Sequence, residues 1–298
     1  MIANGKSIIG ILAVACMFFM FSACSAMQVE ENKDETSEQN VIEEPESIPE
    51  PTLEPEPAVE IIPLKELEEW DLVLITDSSG WGVAQVYGEV VAEDTGKIVN
   101  VRDLWEGGFE AGLMLEILQG KYTGGNIKLE KLPDYIKEAE VVVFWGNPRM
   151  SKNEDAPGDW ECTPPGPWFV NECSPETFAV YKDHVKQVFE LILELRGGQP
   201  TIIRTYDSYN PLINQFREAG VYEECKQCWA YFNDAYRQAA EEMNIPIAPV
   251  AEIWNGLDWT IDPVDDLGYT SDGIHPNQLG AEVIAQALRE LGYDPVLP

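Results

Sequence analysis

The stretch that decides the fold runs from Asp71 to Gly82 and reads DLVLITDSSGWG. Its residues 72–75 are four consecutive apolar side chains, the pattern of a buried parallel strand. Residues 77–82 are small, polar or glycine and predict a sharp turn, and apolar residues at helical spacing follow it. A strand, a turn and a helix in this order hold a side chain at the carboxyl edge of a sheet, where open α/β folds bind their ligands.

Ser78 is the side chain that this turn presents, and it has two interpretations. A serine that follows a strand is more often the cap of a helix than a catalytic group. Ser78 is a nucleophile only if other parts of the chain supply a base and an oxyanion site at the same edge.

The rest of the chain alternates strand patterns with helical ones. Strands are predicted at residues 97–101, 141–145, 201–204 and 245–250. Helices are predicted after residue 82 and at residues 111–118, 129–139, 178–195, 222–243 and 279–291. This alternation predicts a flavodoxin-like three-layer α/β/α sandwich with a central parallel sheet of about five strands. The predicted domain, residues 64–298, is long enough to enclose a full core.

The first residues have the pattern of an export signal. Lys6 provides a positive start, and the apolar core over residues 8–21 is short for a membrane span. Phe21-Ser22-Ala23-Cys24 resembles a bacterial lipobox, in which the cysteine becomes a lipid-modified first residue. We therefore predict a lipoprotein-type signal peptide over residues 1–23 and lipidation at Cys24, with an ordinary cleaved signal peptide or an uncleaved anchor as alternatives. Each of these places the domain outside the cytoplasm, and lipidation would anchor it to the bacterial cell membrane.

Residues 24–63 form a predicted disordered tether between the signal peptide and the domain. Between residues 30 and 60 there are twelve acidic residues, one lysine and five prolines. Like charges repel and proline stiffens the chain, so this segment is expected to be extended. The net charge of −34 argues against a nucleic-acid partner. We expect membrane contact only through the lipid anchor, and a monomeric protein.

Three predicted loops supply the groups that ester hydrolysis needs. Ser78 is the nucleophile and its backbone N–H an oxyanion donor, and Asn147, at the end of the third strand, has a side-chain amide for the same oxyanion. His275, before the last helix, is the base, and Asp272, three residues earlier, orients it. The other histidine, His184, is expected at the edge of an amphipathic helix, in a surface or packing role and not a catalytic one. Each group could alone be a cap or turn residue, but their joint presence at three loops favours catalysis.

These residues resemble the sequence blocks of the SGNH/GDSL hydrolases. Ile75-Thr76-Asp77-Ser78 is similar to the first block, Gly-Asp-Ser, and Asp272-Gly273-Ile274-His275 is similar to the last, Asp-x-x-His. Asn147 falls where the Gly-x-Asn-Asp block has its asparagine. In the family, a glycine after the second strand gives its N–H to the oxyanion hole. Gly108 is our choice for this role, and Gly107 is the alternative.

The resemblance spans about residues 70–293 and departs from the family pattern at two places. Thr76 replaces the glycine before Asp77, and Pro148 replaces the aspartate after Asn147. The resemblance implies a serine esterase that forms an acyl-enzyme through a Ser-His-Asp triad, without a metal or organic cofactor. We predict a short-chain acyl ester as substrate, with an O-acetyl carbohydrate as one candidate. A lysophospholipase or thioesterase, a non-catalytic carbohydrate-binding lipoprotein and a solute receptor are the alternatives.

Residues beside these loops are predicted to contact the substrate, because aromatic faces stack on sugar rings. This set consists of Trp81, Trp105, Trp145, Tyr206 and Asp207. Packing is the commoner role for a tryptophan and is the alternative here. Two more tryptophans, Trp160 and Trp168, lie in a long irregular stretch over residues 149–175, which is predicted to be a binding loop or lid.

Four cysteines remain in the predicted domain. In an oxidising compartment, Cys162 with Cys173 and Cys225 with Cys228 are natural disulfide pairs, although four cysteines allow three pairings. A Cys-x-x-Cys redox couple and a four-thiolate zinc site are the alternatives.

Overall fold

Five strands form the central sheet of the computed structural model, which describes residues 61–148 and 175–296. The strands are β1 (Glu69–Ile75), β2 (Ile98–Asp103), β3 (Val141–Phe144), β4 (Ile202–Tyr206) and β5 (Ile247–Ala248). Their order across the sheet is β2-β1-β3-β4-β5, and every neighbouring pair is parallel.

Helices cover both faces of this sheet. They are α1 (Val83–Thr95), α2 (Ala111–Leu118), α3 (Ile127–Glu130), α4 (Leu132–Glu138), α5 (Pro175–Leu195), α6 (Ile213–Ala219), α7 (Tyr222–Glu242), α8 (Val250–Asn255) and α9 (Gln278–Arg289). Helices α1 and α9 pack together on one side, and α2, α4, α5 and α7 pack together on the other. The three-layer α/β/α sandwich predicted from the sequence is therefore confirmed.

The order of the strands puts a topological switch point at the ends of β1 and β3. Along the chain, β2 is added on one side of β1, whereas β3, β4 and β5 are added on the other. Such a switch point leaves an open site at the carboxyl edge of the sheet. The register pairs Leu72 with Val141 and Ile75 with Phe144, so the two strands end side by side. The loops that contain Ser78 and Asn147 both begin at this point.

Some predicted boundaries differ from the structure, and proline explains two of them. Strand β5 has only two residues, because Pro249 has no N–H to donate to the sheet, and α8 begins at the next residue. The helix predicted over residues 129–139 is two helices, α3 and α4, and Pro133 lies in the first turn of the second. Strand β4 extends to Tyr206, two residues beyond the predicted strand end at residue 204. The sequence pattern does not reveal α6 and α8.

Several predictions concern residues outside the described ranges. They are the signal peptide over residues 1–23, lipidation of Cys24, nearly all of the tether over residues 24–63, Trp160, Trp168, Cys162 and Cys173. These stay predictions. Within residues 61–148 and 175–296, no helix is both long enough and apolar enough to cross a membrane.

The predicted Cys225–Cys228 disulfide is wrong. Both cysteines are buried in α7, and Cys228 is disulfide-bonded, but not to Cys225. Side chains three residues apart on a helix have Cβ atoms roughly 5–6 Å apart. A disulfide favours Cβ atoms about 3.5–4.5 Å apart, so the helical spacing disfavours a bond between these two cysteines.

Candidate active site

A single turn of 3-10 helix, Ser78–Gly80, contains the candidate nucleophile directly after β1. Asp77 caps this turn: its Oδ1 accepts a hydrogen bond of 2.8 Å from the N–H of Ser79, and its carbonyl accepts one of 3.1 Å from the N–H of Gly80. Ser78 is half-buried at the first position of the turn. Its N–H donates to no group among the described residues, as expected for the first residue of a helical turn.

Thr76 and Gly80 fit each other inside this turn. A Cβ atom added at Gly80 would lie 1.9 Å from Oγ1 of Thr76 and 2.8 Å from its Cβ. Thr76 is fully buried, so it fills the space that any side chain at position 80 would need. The departure of Thr76 from the glycine of the family's first block therefore leaves a well-formed turn.

The loop after β2 lies beside the turn Ser78–Gly80, called the nucleophile turn after its candidate nucleophile. The N–H of Glu106 donates to the carbonyl of Thr76 at 3.2 Å, which extends the parallel pairing of the strands into the two loops. Within this loop a turn is closed by the bond from the N–H of Phe109 to the carbonyl of Glu106. Gly108 has a φ of +63°, a conformation that favours glycine, whereas Gly107 does not share it. The backbone of this turn therefore favours glycine at position 108 and not at position 107.

Asn147, directly after β3, is bound to both neighbouring loops. Its N–H donates to the carbonyl of Phe109 at 2.9 Å, and its carbonyl accepts the N–H of Ala111 at 3.2 Å. Its side-chain Nδ2 donates to Oδ2 of Asp77 at 2.7 Å. An amide nitrogen has two hydrogens, so the bond of one to Asp77 fixes the direction of the other.

The candidate base lies in the base loop, residues 271–275, which precedes α9. Nδ1 of His275 lies 2.7 Å from Oδ2 of Asp272. The other oxygen of Asp272 accepts the N–H groups of Ile274 and His275, at 3.0 and 2.8 Å. Because Nδ1 faces Asp272, Nε2 is the nitrogen that can exchange a proton with a substrate or nucleophile.

Aromatic side chains join the base loop to the nucleophile turn. Trp81 directly follows the turn, and its ring meets the ring of His275 edge-on with centroids 6.0 Å apart. Trp81 also stacks on Trp105, with centroids 5.9 Å apart and an angle of 29° between the planes. The two tryptophans are 49% and 39% exposed, so they form an aromatic rim beside His275.

Burial and hydrogen bonding have opposite effects on the two aspartates of the site. Burial raises the pKa of Asp77, and the hydrogen bonds from Ser79 and Asn147 offset only part of this. Burial would also raise the pKa of Asp272, but the hydrogen bonds from His275 and Ile274 outweigh it and hold the pKa below its ordinary value. Asp272 is therefore the carboxylate that stays charged beside His275.

Three residues predicted to contact the substrate are buried in the protein instead. Trp145 is 2% exposed and stacks on Tyr206, which is fully buried. Asp207 is also buried, pairs with Arg237 at 2.5 Å and accepts the N–H of Ala251 at 2.6 Å. These three residues pack inside the protein, so the prediction that they contact the substrate directly is wrong. Trp81 and Trp105 are the members of the set that reach the surface.

Similarity to known proteins is found only among solved structures; no protein-family model and no curated protein matches the chain. A lipase from a goat rumen metagenome is 18% identical, with a TM-score of 0.53 over 76% of this chain and 98% of that one. A protein from Slackia heliotrinireducens with a provisional assignment as an SGNH hydrolase is 17% identical, with a TM-score of 0.45 over 75% and 98%. An acetyl xylan esterase from Geobacillus stearothermophilus is 18% identical, with a TM-score of 0.44 over 77% and 97%.

These similarities concern the fold. The likeness to the goat rumen lipase supports a shared α/β/α architecture. The fold alone does not determine the chemistry, which depends on the residues at the carboxyl edge of the sheet.

Gly80→Ala is expected to lower the free energy of unfolding by about 2 kcal/mol, because the new methyl group overlaps Thr76. Thr76→Gly in the same chain removes the overlap, so the double variant should lose less than the sum of the two single changes. Urea unfolding of the wild type, both single variants and the double variant measures this coupling. An equal cost of Gly80→Ala with and without Thr76→Gly would contradict the fit.

Asp77→Asn is expected to destabilise the chain by about 2 kcal/mol. The NH2 group of the new amide faces another donor in both of its orientations. That donor is the side-chain amide of Asn147 in one orientation and the N–H of Ser79 in the other. Asn147→Asp alone places a second carboxylate beside a buried one and should also destabilise. The exchange of both residues restores a donor facing an acceptor and should recover stability in thermal unfolding. Simply additive losses would show that the two side chains do not act as a pair.

Proposed function

We propose that this chain is a serine ester hydrolase of the SGNH/GDSL type, with Ser78, His275 and Asp272 as its triad. The observation that supports this most directly is the 2.7 Å pair of His275 and Asp272, in a loop that contacts the nucleophile turn through Trp81. A nucleophile, a base and an orienting carboxylate at the switch point of a parallel sheet are the parts that acyl transfer needs.

In the first half of the reaction, Oγ of Ser78 attacks the ester carbonyl carbon while Nε2 of His275 takes the hydroxyl proton. The tetrahedral intermediate then breaks its bond to the alcohol oxygen, which leaves with the proton held by His275. The alcohol departs and the acyl group stays on Ser78 as an ester. Asp272, charged throughout, keeps Nδ1–H of His275 in place and stabilises the imidazolium.

Water completes the reaction by the same steps in reverse order. Nε2 of His275 takes a proton from water as the water oxygen attacks the acyl carbon. The second intermediate breaks its bond to Oγ of Ser78, which recovers its proton from His275, and the carboxylic acid leaves. The sequence of steps consumes one ester and one water and needs no other reactant.

The negative charge on the carbonyl oxygen is proposed to lie between Ser78, Gly108 and Asn147. Among the described residues the N–H of Ser78 has no acceptor, so it can donate a hydrogen bond to the oxyanion. The amide of Asn147 is oriented by Asp77, which reduces the reorganisation needed when charge develops. Gly108 contributes its N–H from the adjacent turn, where its positive φ determines the direction of the backbone.

The alcohol side of the ester is proposed to be a sugar ring, and the acyl group short. Trp81 and Trp105 present a stacked, exposed aromatic surface beside His275, and such surfaces bind the apolar faces of rings. O-acetyl groups on a polysaccharide are the substrates that combine both features. The predicted lipid anchor at Cys24 and acidic tether would hold the enzyme outside the cytoplasm, where such polymers occur.

Ser78→Ala is expected to abolish labelling of the full-length chain by a fluorophosphonate probe and to lower ester hydrolysis by roughly a thousandfold or more. Ser79→Ala is the matched control, because this neighbouring hydroxyl is buried and should leave labelling in place. Gel fluorescence and p-nitrophenyl acetate hydrolysis measure the two effects. Unlabelled wild type, or activity unchanged by Ser78→Ala, would favour a non-catalytic protein of the same fold.

Trp105→Ala is expected to raise KM for an acetylated oligosaccharide by about tenfold, because a stacking surface is lost. The hydrolysis of p-nitrophenyl acetate should change little, since the small ester does not need that surface. Ile98→Ala is the control: it removes another exposed apolar side chain, at the opposite end of β2. Equal effects of Trp105→Ala on the two substrates would contradict a sugar-binding role.

A further inference from the structure

The base loop, residues 271–275, makes few hydrogen bonds to other parts of the described chain. Its hydrogen bonds are mostly internal: Asp272 binds Ile274 and His275, and the carbonyl of His275 accepts the N–H of Ser271 at 2.9 Å. Asp272 and Ser271 are exposed to solvent. Internal bonds define the shape of the loop, but they do not fix its position relative to Ser78.

Among the described residues, one hydrogen bond ties this loop to a distant part of the chain. The hydroxyl of Tyr209 donates to the carbonyl of Ile274 at 2.8 Å. Tyr209 is 2% exposed, and burial raises its pKa well above the ordinary value, so the hydroxyl stays protonated as a donor. Ile274 directly precedes His275, and its own N–H donates to the carboxylate of Asp272.

The segment that contains Tyr209, residues 207–210, is itself rigidly held. Asn233 of α7 accepts the N–H of Ser208 at 2.8 Å and donates to its carbonyl at 3.0 Å. Asn255 of α8 accepts the N–H of Asn210 at 2.7 Å and donates to its carbonyl at 2.9 Å.

The ring of Tyr209 is fixed as well as its backbone. It stacks on the buried ring of Trp254, with centroids 3.9 Å apart. The position and direction of the Tyr209 hydroxyl are therefore fixed independently of the base loop.

We propose that Tyr209 is a positioning residue that holds His275 in reach of Ser78 through the carbonyl of Ile274. This inference rests on the proposed function. Without the hydroxyl, the Asp272–His275 pair keeps its internal geometry, but the loop that contains it loses its hydrogen bond to the rigid segment. A base that moves relative to its nucleophile lowers the chemical rate more than it lowers substrate binding.

Tyr209→Phe removes only the hydroxyl and keeps the ring that stacks on Trp254. It is expected to lower kcat about tenfold with KM unchanged, and to slow fluorophosphonate labelling to the same extent. Tyr222→Phe is the matched control, because it removes an equivalent bond, from a tyrosine hydroxyl to the carbonyl of Trp259, that does not involve the base loop. A kcat for Tyr209→Phe within twofold of that control would overturn the inference.

A second readout does not depend on activity. The chain has two histidines, His184 and His275, so imidazole signals in protein labelled with 15N-histidine can be assigned with His184→Gln. The Nδ1–H signal of His275 is expected to shift or broaden in Tyr209→Phe and to stay unchanged in Tyr222→Phe. An unchanged signal would overturn the positioning role.

The two failures can be told apart. If Ser78→Ala and His275→Ala abolish hydrolysis while Tyr209→Phe matches its control, only the role of Tyr209 fails. If Ser78→Ala retains activity, the proposed function fails, and the inference fails with it. Comparison of melting temperatures checks that a lower kcat does not come from partial unfolding.

Discussion

The buried carboxylate of Asp77 is the interaction on which the candidate site depends. One of its oxygens accepts the N–H of Ser79 and the other accepts the amide of Asn147, at 2.8 and 2.7 Å. A carboxylate that is 6% exposed is costly unless its oxygens are hydrogen-bonded. A displacement of either loop would leave part of this group without a partner, so the positions of Ser78 and Asn147 are fixed together.

The parallel sheet makes this bridge possible, because β1 and β3 are neighbours and end at the same level. Their register is determined by the buried apolar residues, of which Leu72 and Val141 are an aligned pair. A slip by one residue would shift the strand ends by about 3.3 Å, more than a hydrogen bond tolerates. The packing of the apolar core thus sets the register of β1 and β3, and the register determines which loop residues face each other.

Short-range patterns allowed much of this to be predicted from the sequence. Asp272 and His275 pair across three residues, so their spacing alone was informative. The bond between Asp77 and Asn147 joins residues 70 positions apart and depends on strand register, which one sequence does not reveal. The end of β4 is misplaced for a similar reason: Tyr206 is the last residue of the strand and is buried in the core, whereas the predicted strand ends at residue 204.

The complementarity of Thr76 and Gly80 has a consequence for how such chains diverge. Because the side chain of Thr76 occupies the space that a side chain at position 80 would need, Gly80 can be replaced freely only if Thr76 becomes smaller. The pair should therefore evolve as one unit, with a small residue at either the first or the second position. A search pattern that demands glycine before the aspartate excludes this chain, although its backbone makes a well-formed turn after β1. A pattern that requires a small residue at position 76 or at position 80 would include this chain.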